Sequence, residues 1–267
     1  MPTSIPGRHF ARNLIQSKSL LFQLVKRDFQ QRYIGSAAGW VWSIIHPLVL
    51  WVSYVFIFQT MGLSPIPNYA LVLFVGMLPW FLFSESVMRA SNSIVEHANL
   101  ITKTMFPSEI LPVSIFLSSL ASHVVVTVIA AVVAAVVVGG RGEALLLLPL
   151  WALLAALFSI GVGWIAAGLQ VYLRDTAQVV TVLMTFWFWL TPIFLPEAKY
   201  QRWGRLGTAI LRWNPMTYFV RAYRFMLLGQ PERPLHDIAV ATLFAGAAFV
   251  LGGLFFRQMK KGFADVL

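Results

Sequence analysis

Six long apolar segments, separated by polar or charged residues, dominate the hydropathy pattern of this chain. They cover residues 37–61, 70–91, 109–138, 144–172, 177–195 and 236–257. A helix needs about 20 consecutive apolar residues to cross the hydrocarbon core of a bilayer, and each segment comes close to or exceeds that length. The pattern therefore predicts an all-α polytopic membrane protein, whose six transmembrane helices form one domain over residues 37–258.

The residues before the first apolar segment show a second pattern, in which apolar positions recur at the helical period. One face of the predicted helix collects four apolar side chains: Leu21, Phe22, Val25 and Phe29. Polar residues occupy the opposite face. Residues 1–36 are therefore predicted to form an amphipathic interface segment that lies flat on the membrane surface.

Two connections between the apolar segments have patterns of their own. Residues 91–107 are polar, and Ser93 is placed to cap a short helix that would offer a docking surface to a partner. Residues 196–229 contain two apolar stretches that are too short to span, one on each side of Asn214 and Pro215. We expect these stretches to form re-entrant helices on the external side, before the last span.

The distribution of Lys and Arg predicts the orientation of the chain in the membrane. Six of these residues precede residue 37 and three lie at 257–261, and an even number of spans places both termini on one side. The positive-inside rule makes that side cytoplasmic, with 91–107 as a cytoplasmic loop and 259–267 as a cytoplasmic tail. Seven Lys and Arg residues between 196 and 235 argue against this orientation, but longer translocated loops follow the rule poorly.

Composition excludes a soluble domain. Apolar residues make up 58% of the chain and charged residues 11%, with a mean hydropathy of +0.75, which leaves too few polar side chains to cover a soluble fold. The formal net charge of +10 does not indicate a nucleic-acid partner, because the basic residues flank apolar segments. They are interpreted as membrane anchors. The chain has no Cys, which excludes disulfides.

The sequence contains no motif for catalysis or metal binding. The phosphate-binding pattern GxxxxGK[ST] is missing, so the chain is not expected to hydrolyse ATP by itself. The five histidines are scattered without ligand spacing, and His123 is interpreted as a packed or helix-bonded residue. Glu85 precedes Arg89 by one helical turn, which favours a structural ion pair. We therefore expect no enzyme activity, no metal site and no cofactor in this chain.

Aromatic residues form a lateral pattern along the predicted spans. At the helical period, the first span carries an aromatic stripe about 60° wide: Trp40, Trp51, Tyr54 and Phe58. Trp187 lies in an aromatic cluster of the fifth span. These side chains either anchor and pack the helices or form a smooth wall for passing sugar rings. In the fourth span a ridge of small residues predicts helix packing: Ala155, Ser159, Gly163 and Ala167.

Three blocks of the sequence resemble the permease subunits of type-2 ATP-binding-cassette (ABC) exporters for O-antigen, capsule or teichoic-acid polymers. They are RDFQQRYIGSAAGWVWSIIHPL at 27–48, LRDTAQVVTVLMTFWFWLTPIF at 173–194 and WNPMTYFVRAYRFMLLG at 213–229. Their order, within the six-span pattern, extends the resemblance over nearly the whole chain. The tryptophan-rich first and fifth spans are a departure from the family pattern.

The resemblance implies a homodimer in the inner (plasma) membrane, with one ATPase subunit beneath each half and ATP and Mg bound by those partners. The complex would move a lipid-linked glycan to the outer face of the membrane. The first and fifth spans would line the conduit, with Trp40, Trp51, Tyr54, Phe58 and Trp187. The N-terminal helix and the 91–105 loop would dock the ATPase, with Asn92, Glu96, His97, Asn99 and Lys103. The 196–229 region would form the external gate, around Trp213, Asn214 and Pro215.

A further hypothesis concerns the basic residues before the first span: Lys26, Arg27 and Arg32. They either attract a lipid pyrophosphate at the cytoplasmic entrance or only anchor the helix among membrane lipids. Other classes also stay open: a type-2 permease for a different lipid or a drug, a teichoic-acid permease of a Gram-positive cell, a scaffold that recruits an ATPase, and an integral-membrane glycolipid enzyme. The enzyme would need paired acids or metal ligands at a membrane surface, which the sequence does not show.

Overall fold

Helices account for nearly all of the described chain. The computed structural model describes residues 18–31, 39–60, 62, 67–103, 106–139, 142–230 and 234–267, and no β-strand occurs within these ranges. In chain order the helices are α1 Lys18–Gln31, α2 Trp42–Thr60, α3 Tyr69–Glu96, α4 Ala98–Lys103, α5 Ile110–Val138, α6 Leu148–Tyr172, α7 Thr176–Leu190, α8 Glu197–Gln201, α9 Gly204–Trp213, α10 Pro215–Leu228, α11 Pro234–Met259 and α12 Phe263–Val266. The predicted all-α class is confirmed.

Five helical segments are long and apolar enough to cross a membrane. They are Gly39–Thr60, Tyr69–Glu96, Ile110–Val138, Ala144–Tyr172 and Pro234–Gly262. Each coincides with one of the six predicted spans, which identifies a multi-pass membrane protein. The fourth segment has the predicted limits, and the other four differ from them by one to five residues at one or both ends, as expected for boundaries read from hydropathy alone.

The helix of the remaining predicted span, α7, is shorter than the pattern at 177–195 indicated. It ends at Leu190, and Thr191 has the extended backbone angles φ −82° and ψ 138°. Pro192 explains this end, because proline disfavours the helical conformation of the preceding residue and lacks an amide donor. The prediction of a continuous helix to residue 195 is therefore wrong. With 15 residues, α7 is about 22 Å long.

The bundle is built around α3. It packs against α2, α5, α6, α7 and α10, and most of its residues between Tyr69 and Ile94 are buried. In contrast, α2 has no fully buried residue. The outer faces of α2 and α7 therefore remain uncovered within the single chain, whereas α3 forms its centre.

Small residues allow α6 to approach both of its main neighbours. On one face, a Cβ added at Gly163 would lie 3.1 Å from the Ala90 Cβ of α3, so the predicted small-residue ridge is confirmed as a packing surface. On another face α6 meets α11 more closely still. A Cβ added at Gly252 would lie 2.1 Å from the carbonyl oxygen of Gly161. The sequence analysis did not identify this Gly161–Gly252 contact.

The end of α3 differs from the prediction for the polar connection at 91–107. Ser93 does not cap a helix: it is buried within α3, where its hydroxyl donates to the Ala90 carbonyl at 2.6 Å. The cap was predicted too early because α3 continues to Glu96, and the break comes at His97. The short helix α4 follows directly and contacts α12.

The helix α1 packs against α5. Leu24 is its buried residue, while Phe22, on the predicted apolar face, is 70% exposed. The side of α1 that packs against α5 therefore includes Leu24, which was not among the residues of the predicted apolar face. The flat position of this segment on the membrane surface stays a prediction. Phe22 remains on the uncovered side.

The region 196–229 contains three helices: α9 and α10 correspond to the two short apolar stretches of the sequence, and α8, which was not predicted, precedes them. α9 is amphipathic and exposes Leu206 and Trp213, whereas α10 is buried against α3 and α11. Asn214 separates the two helices and caps α10, since its side-chain oxygen accepts a hydrogen bond from the Met216 amide. Pro215 then occupies the first position of α10, where the missing amide hydrogen is not needed.

Candidate functional site

The predicted aromatic stripe on α2 faces the rest of the chain. The Trp51 indole donates to the Ala70 carbonyl at 2.6 Å, and its ring centroid lies 5.1 Å from that of Phe74. Tyr54 and Phe58 both contact Phe194, with centroid distances of 5.0 and 4.9 Å. These contacts belong to helix packing in the single chain. The conduit role assigned to this stripe stays a prediction.

The other two predicted conduit residues have different surroundings. Trp40 precedes α2 in a 3₁₀ turn and is about half exposed, at 49%. Trp187 is partly buried, with its ring against those of Trp80 and Phe83 at 6.1 and 5.2 Å. The uncovered aromatic surface on α2 and α7 is instead carried by residues outside the predicted set: Trp42, Phe56, Phe186 and Trp189.

A groove of about 570 Å³ lies between α2, α3 and α7. Aromatic and aliphatic residues form most of its lining, including Trp42, Trp80 and Trp189. Its polar groups include those of four residues that the sequence analysis did not assign to a site: Ser43, His46, Ser84 and Glu85. In the sequence these residues are two polar positions one helical turn apart on α2 and two adjacent polar positions on α3. Averaging the hydropathy over a whole apolar segment conceals such isolated polar positions.

Glu85 and Arg89 belong to a network that joins α1 to the bundle. Their side chains are 4.0 Å apart, as the sequence spacing allows, but Arg89 lies closer to another acid. Its Nη2 donates to Asp28 Oδ1 at 2.5 Å. Glu85 Oε1 accepts a hydrogen bond from Ser119 of α5 at 3.1 Å. The main partner of Arg89 is therefore on α1, and this pair fixes α1 against α3.

Two of the three predicted headgroup residues can be located. Lys26 and Arg27 are exposed on α1, and Arg32 lies outside the described residues. The exposure of both side chains contrasts with the burial of Leu24 on the same helix. The position permits contact with a membrane surface or with a ligand, and the headgroup role stays a prediction.

The predicted docking residues lie together at the junction of α3 and α4. Glu96, Asn99 and Lys103 are exposed, while Asn92 and His97 are partly buried. His97 Nδ1 lies 2.9 Å from the Ser93 carbonyl oxygen. The arrangement forms a polar surface at one end of the bundle, and its docking role stays a prediction.

This end, which we call the Glu109 end, is held together by contacts between distant parts of the chain. Lys260 Nζ donates to Glu109 Oε2 at 2.5 Å, and the Trp164 indole donates to the Glu109 carbonyl at 3.1 Å. Tyr172 donates to the Met259 carbonyl at 2.7 Å. The start of α5 and the C-terminal residues are thus fixed beside the α3–α4 junction.

Asn214 connects three elements at the opposite end of the bundle. Besides capping α10, its Oδ1 accepts a hydrogen bond from the Trp187 indole at 2.8 Å, and its Nδ2 donates to Thr191 Oγ1 at 3.0 Å. Tyr200 of α8 adds a bond from its hydroxyl to the Thr191 carbonyl at 3.2 Å. Burial raises the pKa of Tyr200 to about 12, so this hydroxyl remains a donor. Among the predicted gate residues, Pro215 is buried and Trp213 is 71% exposed.

A charged cluster, which we call the Arg221 cluster, lies at the same end. Arg221 contacts Glu197 of α8 through two bonds, Nε to Oε1 at 2.6 Å and Nη2 to Oε2 at 2.5 Å. Its Nη1 lies 3.3 Å from Asp237 Oδ1 of α11. His236 Nδ1 is 3.0 Å from the same carboxylate oxygen. The sequence analysis did not predict this cluster, because it used the basic residues of the region only to infer the orientation of the chain. The arginines within the short apolar stretch at α10 were a signal for buried ion pairs.

Arg224, one turn after Arg221 on α10, completes the cluster. It is buried, and its Nη2 donates to the Ile193 carbonyl at 2.7 Å. Together these residues line a second cavity of about 570 Å³, with Tyr69 and Phe194 on its apolar side.

His123 has a packed position on α5. Its Nε2 lies 2.8 Å from Tyr223 Oη and 3.1 Å from Thr127 Oγ1, and the side chain is buried. This confirms the interpretation of His123 as a packed, hydrogen-bonded residue. Among the described residues, no group of three or more His, Asp or Glu side chains is arranged to hold a metal ion.

The family of the chain follows from its sequence matches. The family model for ABC-2 type transporters matches residues 19–228. This chain belongs to the ABC-2 type transporter family. The match begins in α1 and ends with α10, so it includes the α2–α3–α7 groove, the predicted docking residues and Asn214. Asp237 of the Arg221 cluster lies beyond it.

Two proteins similar to this chain are named as permeases of an export system. The chain is 28% identical over 260 residues to the O-antigen export system permease protein RfbA of Myxococcus xanthus, a match that covers 95% of this chain and 97% of that protein. It is also 28% identical over 256 residues to a protein of the same name from Klebsiella pneumoniae, with 93% and 95% covered. The similarity therefore extends over almost the full length of both proteins.

Proposed function

We propose that this chain is the transmembrane subunit of an ATP-driven transporter that exports a lipid-linked, O-antigen-like polysaccharide across the inner membrane. The observation that carries this proposal is the similarity to O-antigen export permeases over almost the full length of both chains. A match confined to a few helices would support only a shared fold, but this match includes both ends of the bundle. The absence of a phosphate-binding motif agrees with an energy source on a separate subunit.

In the proposed assembly, two copies of the chain meet and each binds one ATPase subunit, which carries ATP and Mg. The uncovered apolar faces of α2 and α7 support the meeting of two copies along these helices. The exposed polar residues at the α3–α4 junction support ATPase docking at the Glu109 end, with both termini in the cytoplasm. In this arrangement α7 and the residues after it form the sixth crossing, and α8 to α10 re-enter from the external side.

Physical chemistry explains why such a substrate needs a protein. A charged group at the bilayer centre costs from a few to more than 10 kcal/mol, and a lipid-linked pyrophosphate carries more than one charge together with many hydroxyls. A path along the aromatic surfaces of α2 and α7 would offer sugar rings weak, non-directional contacts. The lipid would stay in the bilayer beside the groove between α2, α3 and α7, with Lys26, Arg27 and Arg32 near its headgroup.

The proposal is tested by reconstituting the purified chain with its ATPase in vesicles that contain lipid-linked glycan. We expect ATP-dependent transfer of the glycan across the membrane, measured by its accessibility to a glycosidase added on one side. A complex whose ATPase cannot hydrolyse ATP is the matched control. Transfer that is equally fast in that control, or unchanged surface glycan in cells lacking this chain, would contradict the proposal.

The same vesicles distinguish the alternatives. Transfer of an unrelated lipid or a drug, but not of glycan, would favour a type-2 permease with a different substrate, and transfer of a polyol-phosphate polymer would favour teichoic-acid export. Chemical change of the glycolipid by the chain alone would favour a membrane enzyme. Recruitment of the ATPase without transfer of any substrate would favour a scaffold.

A further inference from the structure

We propose that the cavity lined by the Arg221 cluster is a binding site for a neutral, hydroxyl-rich sugar unit. This inference rests on the proposed function, because it assigns the sugar to the transported glycan. The cavity volume of about 570 Å³ falls within the range of roughly 300–1,000 Å³ that is usual for small-molecule sites.

The polar groups of the cavity match the chemistry of sugar hydroxyls, each of which both donates and accepts hydrogen bonds. Arg221 and Arg224 provide guanidinium donors, and Glu197 and Asp237 provide carboxylate acceptors. A carboxylate has about four lone-pair sites and a guanidinium five N–H donors. The bonds within the cluster use part of the acceptor capacity of the two carboxylates, because Arg221 bonds each Glu197 oxygen once, and Asp237 Oδ1 is contacted by Arg221 and His236.

The apolar side of the cavity matches the remaining part of a sugar ring, its C–H face. Tyr69 and Phe194 line this side, and the Tyr69 hydroxyl donates to the Phe194 carbonyl at 3.2 Å. Phe194 also stacks on Phe58 and on Trp189, with centroid distances of 4.9 and 4.8 Å. The cavity is therefore continuous with the aromatic surface of α2 and α7 along which the glycan is proposed to move.

The charges indicate a neutral ligand. Two guanidinium groups face two carboxylates, so the formal charges of these four groups cancel, whereas an acidic sugar or a phosphate would meet Glu197 and Asp237 at short range. Asp237 and Arg224 are also buried, which is unfavourable for stability compared with an apolar contact of the same shape. A contact that served only to join α10 to α11 would not require these buried ions, whereas the same ions can donate hydrogen bonds to sugar hydroxyls and accept them.

The test uses the complex of the full chain with its ATPase in lipid nanodiscs and saturation-transfer difference NMR. The probes are the methyl glycosides of glucose, galactose, mannose and rhamnose, with glucuronic acid as the charged comparison. We expect at least one neutral glycoside to receive saturation and glucuronic acid to receive none. If none of the four binds, or if glucuronic acid binds as well as the best of them, the proposal is overturned.

Two variants locate the binding to the cavity. Asp237→Asn and Glu197→Gln keep the side-chain shape but remove a charge-assisted hydrogen bond, so each should weaken binding about tenfold. Asp265→Asn is the matched control, because this aspartate is exposed in α12 at the Glu109 end and does not line the cavity. A size-exclusion profile like that of the wild type shows that each variant is folded. Binding that is equal in all three variants and the wild type rejects the cavity as the site.

ATP-dependent glycan transfer, measured in parallel, separates this inference from the proposed function. A complex that exports glycan but binds none of the neutral probes overturns the sugar site alone. If Asp237→Asn then also stops export, the cluster acts only as a clamp between α10 and α11. A complex that exports no glycan overturns the proposed function, whatever its affinity for the probes.

Discussion

At the scale of single residues, Asn214 makes more hydrogen bonds between helices than its position between two short helices indicates. One amide side chain caps α10, accepts from the Trp187 indole and donates to Thr191. The sequence predicted that Asn214 and Pro215 separate two helices, because both are usual at a helix start. It could not predict Trp187 or Thr191 as partners, since they lie 27 and 23 residues away and depend on how α7 ends.

Replacing Asn214 should therefore destabilise the fold. We expect Asn214→Ala to lower the unfolding free energy by roughly 2 kcal/mol or more, because it removes the cap and leaves the Trp187 N–H and the Thr191 hydroxyl without this partner. Asn214→Ser, which still caps a helix, should recover about 1 kcal/mol. Thermal unfolding in detergent measures both. Gln258→Ala, on the exposed side of α11, is the control, and an Asn214→Ala variant as stable as that control would contradict this account.

The Asp28–Arg89 pair leads to a second prediction at this scale. Both side chains are about a quarter exposed, so the pair contributes about 1 kcal/mol, and Arg89→Gln should change global stability little. It should instead loosen α1, with about fivefold faster amide hydrogen exchange there. Exchanging the charges, with Asp28→Arg and Arg89→Asp together, should restore protection.

Arg257→Gln provides the comparison for this exchange experiment, because Arg257 is exposed on α11. If α1 is as protected in Arg89→Gln as in Arg257→Gln, contact with α5 alone holds α1 in place. The charge-exchanged variant also excludes a simple effect of lost positive charge, since it keeps the net charge of the wild type.

At the scale of elements, hydropathy located the long helices but not their contacts. Five spans could be predicted because each corresponds to a local run of apolar residues. α10 could be predicted because its short apolar run follows a capping residue and a proline. Ser93 was assigned as a cap because serine often starts helices, but the continuation of α3 to Glu96 depends on burial by neighbouring helices. The Arg221 cluster joins α8, α10 and α11, so no single helix pattern contains it.

The α6–α11 interface gives a prediction at this scale. In Gly252→Ala the new methyl group would overlap the Gly161 carbonyl, so the two helices must separate, and we expect a loss of about 1–3 kcal/mol of stability. Gly246→Ala on the same helix is the matched control, because a Cβ there meets no heavy atom within 4 Å. This change should be neutral or slightly stabilising, as alanine is the better helix former. Equal stability of the two variants would show that α6 and α11 do not pack as described.

At the scale of the whole molecule, the proposed homodimer can be tested with single cysteines, since the chain has none of its own. Val182 of α7 and Val132 of α5 are 69% and 60% exposed. If two copies meet along α2 and α7, Val182→Cys should give a covalent dimer with a short bifunctional maleimide in native membranes. Val132→Cys should remain monomeric on denaturing gels. Cross-linking of Val132→Cys alone would place the contact on α5.

The early end of α7 has a consequence for the surrounding lipid. A helix of about 22 Å is shorter than the hydrocarbon core of about 30 Å, and this hydrophobic mismatch is relieved when acyl chains beside the helix compress. Wherever α7 faces the bilayer, the membrane should therefore be locally thinned. A polymer exported along the surface of this helix would then have a shorter distance to cross, and bilayers with long acyl chains should slow its passage.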